Sequence, residues 1–116
     1  INISMAQSET ILTAQTHPGG GTTETVTGEK FKGDGYYGRS DGLHSVQYTY
    51  SVLTGTITIQ GTLATSPVDS DWFDVHTYTA SEETASKVAN FTGNYVWIRS
   101  KVVYTDGTVN KIQLNH

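Results

Sequence analysis

The sequence predicts an all-β domain, a single antiparallel β-sandwich of jelly-roll type. Three observations carry this. Thr, Gly, Ser and Tyr are abundant, while Leu, Ala and Lys, which dominate helical domains, are sparse. β-Branched and aromatic residues suit a pleated, half-buried surface. Several segments alternate apolar and polar residues, the pattern of a strand with one buried and one wet face. Glycine-bearing turn signals separate them, giving about seven or eight short strands, as in sandwiches and jelly rolls.

Size and charge bound the rest. A chain of 116 residues forms one domain and buries roughly two-thirds of its unfolded surface, enough for a core without covalent staples. There is no cysteine, which excludes a disulfide framework and a thiolate metal site. A net charge of −4 with pI about 5.4 argues against a nucleic-acid binder held by a basic patch. No apolar run approaches the ~20 residues of a membrane helix, so no membrane partner is expected. Residues 1–15 lack a charged start followed by a long apolar core, so no signal peptide is expected.

Taken in order, residues 1–23 read as an N-terminal arm or edge strand ending in a glycine-rich break, HPGGG, and residues 24–116 as the sandwich proper. The arm has a short apolar centre, Ile11 and Leu12, and could dock on a neighbour. Residues 22–27 alternate weakly, and EKFKG (29–33) holds a short strand around Phe31. GDGYYG (33–38) and RSDGL (39–43) are two turns in succession, since glycine accepts positive φ. Residues 45–50 set Val46, Tyr48 and Tyr50 against Gln47 and Thr49. A turn at 53–55 leads into the best-defined unit, GTITIQGTLATSPVDSDWFDV (55–75). There Ile57, Ile59 and Leu63 share one side and Thr56, Thr58, Gln60 and Thr62 the other. Pro67 and the Asp/Ser run that follows break the ladder, and Trp72 opens the next strand.

SEETASKVA (81–89) is the one piece with helical features, and it is too short to stand alone, so a loop or single turn is expected. NYVWIRSKVVY (94–104) is the second strong strand, with Val96, Ile98 and Val102 on one face and Tyr95, Trp97, Arg99, Lys101 and Val103 on the other. Thr105-Asp106-Gly107 then reads as a hairpin loop with a bulge, and residues 108–114 as its return strand.

Candidate chemistry is thin. Asp69, Asp71 and Asp74 lie close in sequence, but they lack the glycine and terminal glutamate of a calcium loop and read as turn and strand-surface residues. Asp34 and Asp41, each before a glycine, read as turn formers. His17, His44, His76 and His116 show no ligand spacing; a zinc site would need distant segments to converge. No serine sits in a nucleophile elbow, and no helix follows GDGYYG to make a phosphate cradle. No catalytic residue, cofactor or metal is therefore expected, and no enzyme. Four aromatics stand out as ligand or partner contacts: Tyr36 and Tyr37 between glycines in a loop, Trp72 at the start of a strand and Trp97 within the 94–104 strand. Exposed, they could stack on sugar rings; the competing role is cross-strand packing.

The ordered set SDGLHSVQ (40–47), GTITIQGTL (55–63), the Pro67-to-Trp72 link with DWFDV, FTGNYVWIRSKV (91–102) and YTDGTVNKIQLNH (104–116) resembles small β-rich virion structural proteins of tailed bacteriophages, cyanophages among them. The resemblance implies a non-enzymatic structural protein located in the virion. It would decorate or cement a capsid, or belong to the tail, through contacts with other virion proteins in a homo-oligomer or symmetric assembly. It carries over no site residue. The alternative from the aromatic residues is a carbohydrate-binding or adhesion domain, with a glycan as partner.

Overall fold

The computed structural model describes residues 8–116; residues 1–7 of the expected arm lie outside them. The strands are β1 (Glu9–Leu12), β2 (Gln15–Thr16), β3 (Glu24–Thr27), β4 (Phe31–Lys32), β5 (Leu43–Thr62), β6 (Phe73–Thr92) and β7 (Trp97–Asn115), with a short 3-10 turn at Asp69–Asp71. All pairings are antiparallel. β5 runs along one side of β7, and β6 flanks β5. β1 to β4 follow one another along the other side of β7. Among the described residues no helix is long and apolar enough to cross a membrane.

β5, β6 and β7 are 20, 20 and 19 residues long. Fully extended, each would reach about 60 Å, yet each is bent back midway. Val52 and Glu82 have φ of 48° and 49°, and Gly107 has φ of 95°. The ladders slip at the same level, between Tyr50 and Leu53 against β6 and between Ser51 and Thr54 against β7. The two ends of β7 therefore meet. The Gly33 amide donates to the Val96 carbonyl just before β7, at 2.9 Å. The next residue, Asp34, lies 2.7 Å from His116 just after β7.

The continuous sheet is thus folded in two, and its halves are the two layers of a sandwich. One layer holds β1 and β2 with residues 43–51, 83–92 and 108–115. The other holds β3 and β4 with residues 54–62, 73–81 and 97–105. Contacts cross between them: Tyr48, paired in the ladder with Lys87, reaches His76 of the opposite layer with its hydroxyl at 3.0 Å. Val46, Tyr48, Tyr50, Ile112 and Leu114 supply one side of the core; Ile57, Ile59, Ile98, Val102 and Tyr104 supply the other. On β5 the core side chains are even-numbered before the bend, Val46, Tyr48 and Tyr50, and odd-numbered after it, Leu53, Ile57 and Ile59. The slip restores the inward face, because a one-residue shift exchanges the two faces of a strand.

Several local expectations change. The all-β sandwich stands, but three long bent strands replace a series of short ones. Residues 81–89 are strand, not a helical turn: they pair with β5, and Ala85 and Ala89 pack on the core opposite Tyr50 and Val46. Small residues there leave room for the tyrosine ring. Thr105-Asp106-Gly107 is not a hairpin. The segments on either side of it pair with β5 and with β1 to β3, and the turn is where β7 passes from one layer to the other. Of the two alternatives for the N-terminal stretch, the described part takes the edge strand: β1 and β2 pair with β7, and Ile11 and Leu12 are buried. Leu63, expected on the core side, lies beyond the end of β5 and is exposed.

Candidate functional site

The connection between β4 and β5 is pinned by its own backbone. The Gly35 amide donates to the Tyr95 carbonyl at 2.9 Å, and the Arg39 amide to the Asp34 carbonyl at 3.0 Å. Tyr36 and Tyr37 are left at the crest, 46% and 49% exposed. Trp97 opens β7, and because Ile98 points into the core the indole points outward. Its N–H donates to the Thr65 carbonyl at 3.0 Å. The Tyr36 ring lies 5.1 Å from the Trp97 ring and 5.5 Å from the Tyr37 ring.

Cations line this row. The Lys30 ammonium is 4.9 Å from the Trp97 ring centre, Lys32 4.6 Å from Tyr36, and the Arg39 guanidinium 4.7 Å from Tyr37. Two residues after Trp97, on the same outward face, the Arg99 guanidinium sits 4.3 Å over Trp72. All four aromatics singled out from the sequence therefore fall in one band. Tyr37, Tyr36 and Trp97 are in ring contact, and Trp72 joins through Arg99.

Polar groups with fixed orientation lie beside the band. Arg99 Nε donates to Gln60 Oε1 at 2.8 Å, and Gln60 Nε2 donates to Asp74 Oδ1 at 2.9 Å. Arg99 also pairs with Asp69 at 3.5 Å. Thr58, Gln60 and Thr62 face away from the core yet are buried. Trp97 and Arg99 stand next to Thr62 and Gln60 across the ladder, and the 63–72 connection folds back to meet the Trp97 indole. Flat aromatic rings edged by oriented amide, guanidinium and carboxylate groups can take a ring-shaped polar ligand, by stacking below and hydrogen bonding at the rim.

The three aspartates of the 69–74 stretch are used separately. Asp71 accepts from the Val68 amide at 2.9 Å as a turn residue, Asp69 pairs with Arg99, and Asp74 holds Gln60. Another set converges instead. Asp34, His44 and His116 bring one ligand atom each within 4.8 Å of one another. Asp34 and His44 are buried, so Asp34 is more than the turn former expected. Nδ1 of His44 donates to the Gly42 carbonyl at 2.8 Å, which leaves Nε2 as the acceptor facing the Asp34 amide at 3.2 Å. Burial pushes the His44 pKa below its ordinary value. For Asp34, burial opposes ionisation, but the His116 hydrogen bond and the neighbouring histidine charges outweigh it and lower the pKa. Sequence reasoning missed this cluster because Asp34 and His116 are 82 residues apart. The one local signal was that Asp34 and His44 bracket the glycine-rich turns.

No family model and no curated protein matches the chain. Among solved structures it is similar to CBM29_1, a family 29 carbohydrate-binding module from Piromyces equi, with TM-score 0.52 and 8% identity over 95% of this chain and 91% of that one. CBM35 from Paenibacillus barcinonensis gives TM-score 0.47 and 12% identity over 96% and 99%. A Cellvibrio mixtus lichenase 5A module solved with cellotriose gives 0.43 and 14% over 93% and 98%. The first of these likenesses establishes a fold shared with a carbohydrate-binding module. It corrects the reading as a phage virion structural protein, capsid decoration or tail component: the fold neighbour is a carbohydrate-binding module, and no family model or curated protein ties the chain to a virion. The physical reason is that the motifs carrying that resemblance are strand and turn residues, which encode a sandwich and say nothing about its partner.

Proposed function

We propose that this domain is a non-catalytic carbohydrate-binding module whose ligand lies along the Tyr37–Tyr36–Trp97–Trp72 band. The observation that carries the reading is the assembly of these four aromatics, from three separate chain segments, into one band edged by Gln60, Asp74 and Arg99. Large rings are ordinarily spent on the core; here Tyr36 and Tyr37 are held at the surface by a backbone-pinned loop, where binding residues tend to lie. The fold shared with a family 29 carbohydrate-binding module supports the same reading.

Charge refines the ligand class. The chain has seven Lys and Arg in all, and four of them, Lys30, Lys32, Arg39 and Arg99, lie against these rings. On a chain of net charge −4, that concentration favours an acidic polysaccharide over a neutral one. Affinity electrophoresis through gels containing neutral or uronate-bearing polysaccharides tests this. Retardation by an acidic polymer is expected, lost in Trp97→Ala and Tyr36→Ala and weakened by salt and by Lys30→Ala with Lys32→Ala. Free migration of the folded protein in every polymer would refute the glycan reading. Retardation by neutral polymers alone would refute only the charge argument.

A further inference from the structure

We infer that Asp34, His44 and His116 form a binding site for one divalent transition-metal ion of the zinc class. The ligand chemistry points there. Two imidazole nitrogens and one carboxylate oxygen suit zinc, copper or nickel, whereas calcium and magnesium take oxygen ligands. The His44 tautomer leaves one lone pair for ligation: its Nδ1–H is held by the Gly42 carbonyl, so the Nε2 lone pair, which accepts the Asp34 amide at 3.2 Å, would pass from that amide to the metal. A backbone carbonyl fixing the far nitrogen is the usual support of a metal-binding histidine.

Arg39 and His116 both crowd the Asp34 carboxylate. Nδ1 of His116 lies 2.7 Å from Asp34 Oδ1 and 3.1 Å from Arg39 Nη1. The carboxylate only accepts, so His116 Nδ1 donates to it, and that nitrogen has no lone pair left for the guanidinium. Arg39 Nη1 is also 3.3 Å from Asp34 Oδ1. A cationic group therefore sits where the Asp34 and His116 ligand atoms converge. The Arg39 side chain is 49% exposed, against 2% for Asp34, so it can swing out and leave both ligand atoms to a metal ion.

Surrounding charge favours this exchange. Glu9 Oε1 lies 3.9 Å from His116 Nε2. Two carboxylates, Asp34 and Glu9, thus lie beside the histidines. A cleft of about 80 Å³ lined by Glu9, Tyr37, Arg39 and His116 opens the site to solvent.

The test is titration of the untagged full chain with zinc chloride by calorimetry, repeated with cobalt(II) as a coloured substitute. One equivalent is expected to bind, with a visible cobalt band and a melting temperature that rises with zinc and returns with EDTA. Asp34 and His44 are buried and their replacement could prevent folding, so the deciding variants are His116→Gln and Arg39→Ala, each checked by circular dichroism. His116→Gln is expected to weaken binding about tenfold or more, and Arg39→Ala to tighten it. Failure to bind one equivalent would overturn the site. So would equal affinity in His116→Gln. Weaker binding in folded Arg39→Ala would make Arg39 a partner, not a competitor, and would also overturn it. None of these readouts involves a sugar, so the outcome is independent of glycan binding.

Discussion

Gly107→Ala tests the folded sheet directly. Gly107 lies where β7 passes between the layers, with φ of 95°. An added Cβ there would press into the Val52 carbonyl oxygen and lie 2.6 Å from Leu53 Cα. Both are backbone atoms of the adjacent bend in β5, so no side chain can rotate away to relieve the contact. Two costs then add: about 1–2 kcal/mol for placing an L-residue at positive φ, and about 1–3 kcal/mol for overpacking. Gly38 supplies the control. It has φ of 73° but nothing within 4 Å of the added Cβ, so Gly38→Ala should cost only the first. Equilibrium urea unfolding should therefore give a loss of about 2–5 kcal/mol for Gly107→Ala and about 1–2 kcal/mol for Gly38→Ala. In a domain of this size the gap between them is worth roughly 4 °C of melting temperature per kcal/mol. Equal losses would mean that the two bends do not cross in contact, and the two-layer reading of β5 and β7 would fail.

Other consequences follow from packing and charge. Leu12→Ala should cost about 2–4 kcal/mol by urea unfolding, as for a buried core leucine; a change within about 0.5 kcal/mol would make residues 9–16 a loose arm after all. Tyr48→Phe removes the hydroxyl that reaches His76 across the core and should cost about 1 kcal/mol; an unchanged midpoint would sink that cross-layer bond. Glu83 accepts hydrogen bonds from the Tyr78 and Tyr50 hydroxyls, at 2.5 and 2.9 Å, and the Tyr78 bond, then the Tyr50 bond, holds its carboxyl below the ordinary 4.5. The unfolded carboxyl protonates first as pH drops. The stabilisation is therefore present above pH 4.5 and lost as pH falls through the lowered folded value. Glu83→Gln should flatten the acid limb of a melting-temperature profile, and an identical limb in variant and parent would remove Glu83 from it.

The local pattern of the sequence determined the strands and their faces. The alternations at Val46, Tyr48 and Tyr50, at Ile57 and Ile59, and at Ile98 and Val102 each place an apolar stripe on the core, because the period of a strand is two and can be read from adjacent residues. The exposure of Tyr36 and Tyr37 was legible for a similar reason: tyrosines between glycines in a loop are a local signal, whereas Trp72 and Trp97 carried none. Ser81–Ala89 misled because its small and polar residues suit a helix in isolation; the long ladder with β5 overrode that weak preference. What only the tertiary structure decided depends on the bends at Val52, Glu82 and Gly107 falling at one level. That alignment folds three long strands together and turns a predicted hairpin into a crossing between layers. It brings His116 to Asp34 and His44. Such contacts are set by pairings between segments tens of residues apart, and nothing in the neighbourhood of any one residue encodes them.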